Sequence, residues 1–238
     1  MVLRLIEEKE PLDEVVFYDT GMEFQAIYNI RDRMMPVFKE HSIMYTELRP
    51  DRPFLAEMLA REHRKRSGEW QYGYGWCGGT CRWGTTNKLR SIAKYCGSYH
   101  QYVGIAADEP LRLARLGLNK SAPLAKWGMT ESDCLRYCRE HGIKWEENGV
   151  DLYGILDRVS CWCCRNKNRQ ELYNIYRYLP DYWGRLKALQ ARIPEPMKPY
   201  QNRKYGEYGN LLDLEKVFEQ EDQTRQITLF DLVLGKAE

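Results

Sequence analysis

No stretch of the 238 residues approaches the roughly 20 consecutive apolar positions that a bilayer-spanning helix needs. The amino terminus, Met-Val-Leu-Arg-Leu-Ile-Glu-Glu, lacks the basic, apolar and small-residue regions of a secretion signal. Both absences point to a cytoplasmic protein without a membrane partner. Charge of one sign is also lacking: the net charge is +2, so the whole chain gives no argument for nucleic-acid binding. The four histidines, at positions 41, 63, 100 and 141, show no metal-ligand spacing. No Gly-x-Ser-x-Gly and no Walker loop occurs, which sets aside serine hydrolase and P-loop chemistry. Internal repeats are absent as well.

What is present argues for a folded α/β protein. Hydrophobic residues make up 43% and aromatics 13%, too many for a disordered chain. At this length roughly 70–75% of the unfolded surface can be buried, so a full core forms without disulfides. The length fits one large domain, or a domain with an appendage.

Cysteine is the informative residue. Five of the eight fall in two clusters, Cys77-x3-Cys81 and Cys161-x-Cys163-Cys164. In a reducing compartment, clustered thiols favour metal binding or catalysis over disulfides. Cys161-x-x-Cys164 has chelating spacing, and Gly78 and Gly79 let the first cluster curl around one point. Cys77, Cys81, Cys161 and Cys164 therefore form a candidate four-thiolate site for structural Zn2+ or a [4Fe-4S] cluster. The plainer reading is of thiols that pack and never meet. Cys163 is either an alternate ligand or a spare thiol. Cys134 and Cys138 lie one turn apart on a helix face, a spacing that can chelate, but they read more plainly as core, as does Cys96.

Patterning places the elements. Residues 2–8 read as the end of an amphipathic helix, and 14–18 (Glu-Val-Val-Phe-Tyr) as a buried parallel strand. Phe24, Ile27, Arg31, Met34 and Phe38 mark a helix, 43–48 a second strand, 54–65 a helix, and 101–105 a further strand. Thr130 and Asp133 form a capping box for a helix that Gly142 closes. A helical block over 168–192 is interrupted at Pro180, residues 193–209 read as linker, and 211–218 as a last helix before a mobile tail. Strands alternating with helices predict a parallel sheet, whose ligands bind at the strands' carboxyl ends. Asp19, Thr20, Gly21, Asp108, Glu109 and Arg112 all fall there. The acids suit a ribose hydroxyl or a metal, and equally a helix cap or a solvated ion pair. Arg82, Lys88 and Arg90 flank a helix start at Thr85-Thr86, a setting that attracts anions.

Taken together, four segments resemble the phosphoadenosine phosphosulfate (PAPS) reductase family of the adenine-nucleotide alpha-hydrolase and ATP-pyrophosphatase superfamily. They are Glu14-Val-Val-Phe-Tyr-Asp-Thr-Gly-Met-Glu-Phe24, Val103-Gly-Ile-Ala-Ala-Asp-Glu-Pro-Leu-Arg112, Pro123-Leu-Ala-Lys-Trp-Gly-Met-Thr-Glu131, and the cysteine elements Cys81-Arg82 with Lys88 and Ser160-Cys-Trp-Cys-Cys164. They occur in the family's order over about residues 2–185. The resemblance implies a Rossmann-like (HUP-type) parallel sheet flanked by helices, missing its first strand, with a Cys-rich insertion and a C-terminal extension. It implies a nucleotide-binding domain over 1–192 and a linker with a C-terminal helix over 193–238.

By position, Asp19, Thr20, Gly21, Gly104, Asp108 and Glu109 would line the nucleotide pocket, and Arg82, Lys88 and Arg112 would face sulfate or phosphate. The substrate implied is ATP or an adenylyl sulfate-type nucleotide, and the chemistry is sulfonucleotide reduction or sulfur transfer, with an electron donor or sulfur-acceptor protein as partner. Two family features are missing from the chain. The Ser-Gly-Gly-x-Asp-Ser phosphate loop does not occur, and a start in mid-helix suggests an upstream segment. No cysteine follows Cys164, where reductases carry a Glu-Cys-Gly nucleophile, which leaves Cys163 as the substitute, with Arg82 and Lys88 as further catalytic candidates. The alternative is a non-catalytic scaffold with structural zinc and a degenerate nucleotide site.

Overall fold

The computed structural model describes residues 1–76, 80–197, 200–202, 206–208 and 210–233. In chain order the helices and strands are α1 (Val2–Glu7), β1 (Glu14–Tyr18), α2 (Gln25–Glu40), β2 (Met44–Leu48), α3 (Phe54–Leu59), β3 (Glu62–Arg64), β4 (Trp70–Tyr72), α4 (Lys88–Cys96), β5 (Gln101–Tyr102), α5 (Pro110–Leu113), β6 (Lys120–Ser121), α6 (Pro123–Lys126), α7 (Glu131–Glu140), β7 (Glu146–Glu147), β8 (Val150–Asp151), α8 (Leu152–Ile155), α9 (Arg169–Tyr178), α10 (Pro180–Gln190), β9 (Tyr200–Asn202), β10 (Gly206–Tyr208) and α11 (Leu211–Val233). The architecture is mixed α/β, built from two-stranded sheets, two parallel and three antiparallel among the described residues. No helix among the described residues is long and apolar enough to cross a membrane.

The chain forms two compact units. Unit 1 joins Met1–Asp51 to Arg82–Leu152, and unit 2 joins Arg52–Cys81 to Tyr153–Glu238. The boundary expected at 192/193 falls inside unit 2.

Unit 1 is organised by β1 and β2, which pair in parallel from Glu14↔Met44 to Tyr18↔Leu48. Parallel strands need a crossover, and α2 supplies it. Strand alternation sends Glu14, Val16, Tyr18 and Thr46 to one face and Tyr45 and Glu47 to the other. On the first face lies α4: Tyr95 donates from Oη to Glu14 (2.8 Å), and Ser91 bonds Tyr18. On the second lies α2, where Phe38 stacks on Tyr45 at 5.9 Å and Arg31 donates to Glu47 at 2.9 Å. Helices thus cover both faces of the pair. Glu47, after burial, helps push the Tyr45 phenol up to about 12.

α2 carries no cap of its own at Phe24. Glu147, buried in the β7–β8 hairpin, accepts from the Ala26 amide at 2.8 Å and fills that role. At its other end Ser42 takes φ +55, with Ser42 N–H donating to Lys39 O and Ile43 N–H to Phe38 O, a Schellman closure. The same closure ends α7 at Gly142, and the expected capping box is present: Thr130 and Asp133 each accept the other's backbone amide.

The second parallel pair, β5–β6, is shorter than the strand expected over 101–105. The Ile105 amide turns back to Val103 O at 2.8 Å across Gly104, a γ-type bend that takes the chain out of the ladder.

In unit 2 the helix expected over 54–65 stops at Leu59, and residues 62–64 form β3 instead. The cause lies downstream. Tyr74 and Gly75 amides donate to Glu57 O and Met58 O, taking carbonyls that a longer helix would use. Gly73 makes this approach feasible: it sits at φ +69, and a Cβ there would fall 2.2 Å from Met58 O. The break at Pro180 is as expected, with Leu179 serving both α9 and α10. Tyr173, Tyr176, Trp183 and Phe218 form the aromatic core joining α9, α10 and α11, with centroids 5.2–5.9 Å apart. α11 runs on to Val233, well past the expected end at Phe218.

Candidate functional site

The strand-end residues of unit 1 and the cysteines of unit 2 are two separate sets. The first begins where β1 ends. Asp19 is 7% exposed and Thr20 4%, and their loop is fixed by its own polar groups. Asp19 Oδ1 accepts from the Gly21 amide and from the Tyr28 hydroxyl, both at 2.7 Å. Its Oδ2 faces Arg49 Nε at 3.7 Å, beyond hydrogen-bond reach. Thr20 Oγ1 donates to Glu23 (2.9 Å) and accepts from the Met22 amide (3.2 Å). Burial, and then the Asp19 carboxylate, push the Tyr28 phenol well above its ordinary range. Gly21 holds φ +73, and no atom lies within 4 Å of where its Cβ would stand. The loop therefore offers a buried carboxylate oxygen and open space beside the backbone.

The residues after β5 are engaged differently. Asp108 Oδ1 accepts from the Glu131 amide at 3.0 Å, joining the start of α7. Glu109 accepts from the Ala106 amide at 3.2 Å and is ion-paired with Arg112. Gly104 is exposed at the γ bend. Arg82 opens a π-helical segment, Arg82–Asn87, that runs directly into α4, so the helix starts earlier than Thr85. Arg82 is exposed and Lys88 half-buried on it. A surface pocket of about 280 Å³ occurs elsewhere in unit 1, lined by His100 and Tyr102 of the β5 segment and by Ser121 at the carboxyl end of β6 with Ala122, Pro123 and Lys126 after it; His100 Nε2 stands 2.9 Å from Ser121 Oγ. The loops after β1 and β5 carry the candidate carboxylates at the ends of parallel strands, and the pocket lining includes no residue of either set.

In unit 2, Cys161, Cys163 and Cys164 share one turn. The Cys164 amide donates to Cys161 O at 3.0 Å, and the Lys167 amide to Cys164 O at 3.2 Å. Cys161 and Cys164 are half-buried. Cys163 is 4% exposed, and burial pushes its thiol well up, so it stays protonated. A protonated core thiol is a poor nucleophile. Lys167 is 1% exposed, with Nζ 3.2 Å from Ser160 Oγ. Burial holds its ammonium below the ordinary lysine range, and Glu171 and then the three sulfurs offset only part of that.

Cys81 is half-buried in the same unit, and Cys77 lies outside the described residues. Among the described residues, no three His, Cys, Asp or Glu side chains are grouped to hold a metal ion. The 161–164 turn, with two half-buried thiols three residues apart, fits the chelating half of a thiolate shell. Cys96, Cys134 and Cys138, expected in the core, are half-buried.

Sequence reasoning missed Tyr28, Arg49, Glu147 and Lys167. Only Lys167 carried a local signal, its position three residues after Cys164. No family model, curated protein or solved structure matches the chain.

Proposed function

We propose that unit 1 binds an adenine nucleotide, ATP or an adenylyl sulfate, at the loop that closes β1, and that the protein is a PAPS reductase-like enzyme of sulfur metabolism. One observation carries the reading. Asp19 is buried at the carboxyl end of a parallel strand, its Oδ1 held by a backbone amide and a phenol and its Oδ2 3.7 Å from Arg49 Nε, with open space beside Gly21. A fixed acid in that place accepts a ribose hydroxyl without reorganising. On this reading the two parallel pairs, β1–β2 and β5–β6, which are separate two-stranded ladders, correspond to portions of a Rossmann-like arrangement. Gly104, Asp108 and Glu109 extend the pocket, while Arg82, Lys88 and Arg112 meet the anionic end. The thiols of Cys81, Cys161 and Cys164, with Cys77, hold zinc or an iron–sulfur centre in a reducing cytoplasm, and Lys167 offsets their charge. An electron donor or sulfur acceptor completes the reaction.

Calorimetric titration with ATP and with adenylyl sulfate tests the nucleotide reading. The wild-type chain is expected to bind one of them, and Asp19→Asn to bind it about 10–100-fold more weakly, the value of a hydrogen bond to a charged group. No binding by the wild type, or equal binding by both chains, would refute it. Iron, sulfide and zinc content after anaerobic purification tests the centre, which a metal-free wild-type chain would exclude.

The engagement of Asp108, Glu109 and Arg112 with the protein's own groups favours a second reading, a non-catalytic scaffold with structural zinc. Bound nucleotide that is never consumed, with one zinc and no sulfide, would select it.

A further inference from the structure

The β3–β4 hairpin of unit 2 takes no part in the proposed nucleotide site. Its register, Glu62↔Tyr72, His63↔Gln71 and Arg64↔Trp70, places Glu62, Arg64, Trp70 and Tyr72 on one face. The opposite face turns inward, where His63 stacks on Tyr74 at 3.9 Å with the rings 15° from parallel. The outward face leaves Trp70 66% and Tyr72 70% exposed. Two large aromatics side by side in water are unusual without a partner. They stand two residues apart on one strand, about 7 Å along it.

The turn supplies the charge. Arg64, Lys65 and Arg66 are consecutive and exposed, and Arg64 Nε donates to Gly68 O at 2.8 Å, which fixes that side chain along the turn. Two acids accompany them. Glu69 accepts from the Ser67 hydroxyl at 3.2 Å, and Glu62 lies opposite Tyr72 on the aromatic face.

We infer that this hairpin is a docking platform for single-stranded RNA. Aromatic faces at this spacing stack successive unpaired bases, and three cations at the tip meet the phosphates. A carboxylate on such a face repels phosphate, but it accepts a ribose 2′-hydroxyl, which DNA lacks. Glu62 therefore favours RNA over DNA. The near-neutral net charge of the chain does not oppose this, because the cations are local.

The test is fluorescence anisotropy of a labelled 12-residue oligouridylate, whose bases do not compete by stacking on one another, with the matching oligodeoxythymidylate in parallel. The wild-type chain is expected to bind the RNA more tightly than the DNA. Log affinity should fall with log salt at a slope of about −2, for three phosphates at roughly 0.7 each. Trp70→Ala with Tyr72→Ala should weaken binding at least 10-fold with an unchanged melting temperature, while Trp70→Phe keeps most of it. Lys65→Ala with Arg66→Ala should flatten the salt slope by about 1.4. Asp19→Asn should bind RNA as the wild type does, which separates this surface from the nucleotide site. No binding, equal binding of RNA and DNA, or full binding by the double aromatic variant would each overturn the inference. Binding of acidic protein or vesicles in place of RNA would overturn it too.

Discussion

Gly21 in unit 1 and Gly73 in unit 2 share a left-handed φ, +73 and +69, yet have opposite surroundings. Beside Gly21 there is open space; at Gly73 a methyl group would collide with the Met58 carbonyl. The two regions repeat that difference at larger scale. The loop after β1 is tied by its own hydrogen bonds but leaves room beside Gly21. The turn at 161–167 is filled, with Cys163 and Lys167 sealed from water. A ligand that comes and goes needs the first kind of place, and a permanent centre or a packed core needs the second.

The largest expected effect comes from exploiting that contrast. Gly73→Ala should destabilise by more than about 3 kcal/mol, since the clash is with backbone and adds to the left-handed strain. Gly21→Ala bears only the strain, about 1 kcal/mol, and should lose nucleotide affinity instead. Thermal unfolding of both variants checks this, and equal melting temperatures would dissolve the contrast.

Next is Glu171→Ala in unit 2. Buried Glu171 accepts from the Asn168 amide at 2.8 Å and the Asp157 amide at 3.2 Å, and it also supports the Lys167 charge. Its removal should cost about 2–3 kcal/mol, seen as a fall of roughly 4–12 °C in melting temperature. A fall below 2 °C would show that the 157–171 tie is slack.

Thr130→Ala tests the same capping-box chemistry in unit 1, at a half-buried rather than a buried acid. The melting temperature should drop by about 2–4 °C. A drop as large as that of Glu171→Ala would mean that burial adds nothing to the cap.

The smallest effect is pH-dependent. His141 Nδ1 lies 2.7 Å from Tyr137 O and Nε2 2.9 Å from Glu7, and these contacts raise the imidazole's affinity for its proton. Because the folded-state value is raised, the contribution is fully present below about 6.5, the unfolded value, and lost as pH rises through the folded one. Glu7, held low by the Tyr137 hydroxyl, stays ionised across that window. Both groups are solvent-screened, so His141→Gln should cost only a few tenths of a kcal/mol at pH 5.5 and nothing at pH 9. Melting curves at the two pH values decide it, and a gap that widens at pH 9 would reverse the sign.

Much of this was legible in the chain. The Val-Val-Phe run of β1, the 3.6-residue spacing in α2, the Thr130–Asp133 box and the Pro180 break are local signals, and each led to the right element. The hairpin at 62–72 was hidden because Phe54, Leu55, Met58 and Leu59 fit a helix, and what ends it is Gly73, some 14 residues away. α11 outran its expected end because the apolar pattern fades after Phe218 while no Gly or Pro stops the helix. Glu147 and Lys167 are buried charges, and burial of a charge is decided by tertiary neighbours that no window of sequence contains.

The most direct test is nucleotide affinity measured side by side on the wild type, Asp19→Asn and Cys161→Ser. If the open loop of unit 1 binds the nucleotide and the thiol turn holds a separate centre, Asp19→Asn loses at least 10-fold in affinity while Cys161→Ser loses its metal and stays within about threefold of the wild type. Undiminished binding by Asp19→Asn, or binding abolished by Cys161→Ser alone, would contradict that division.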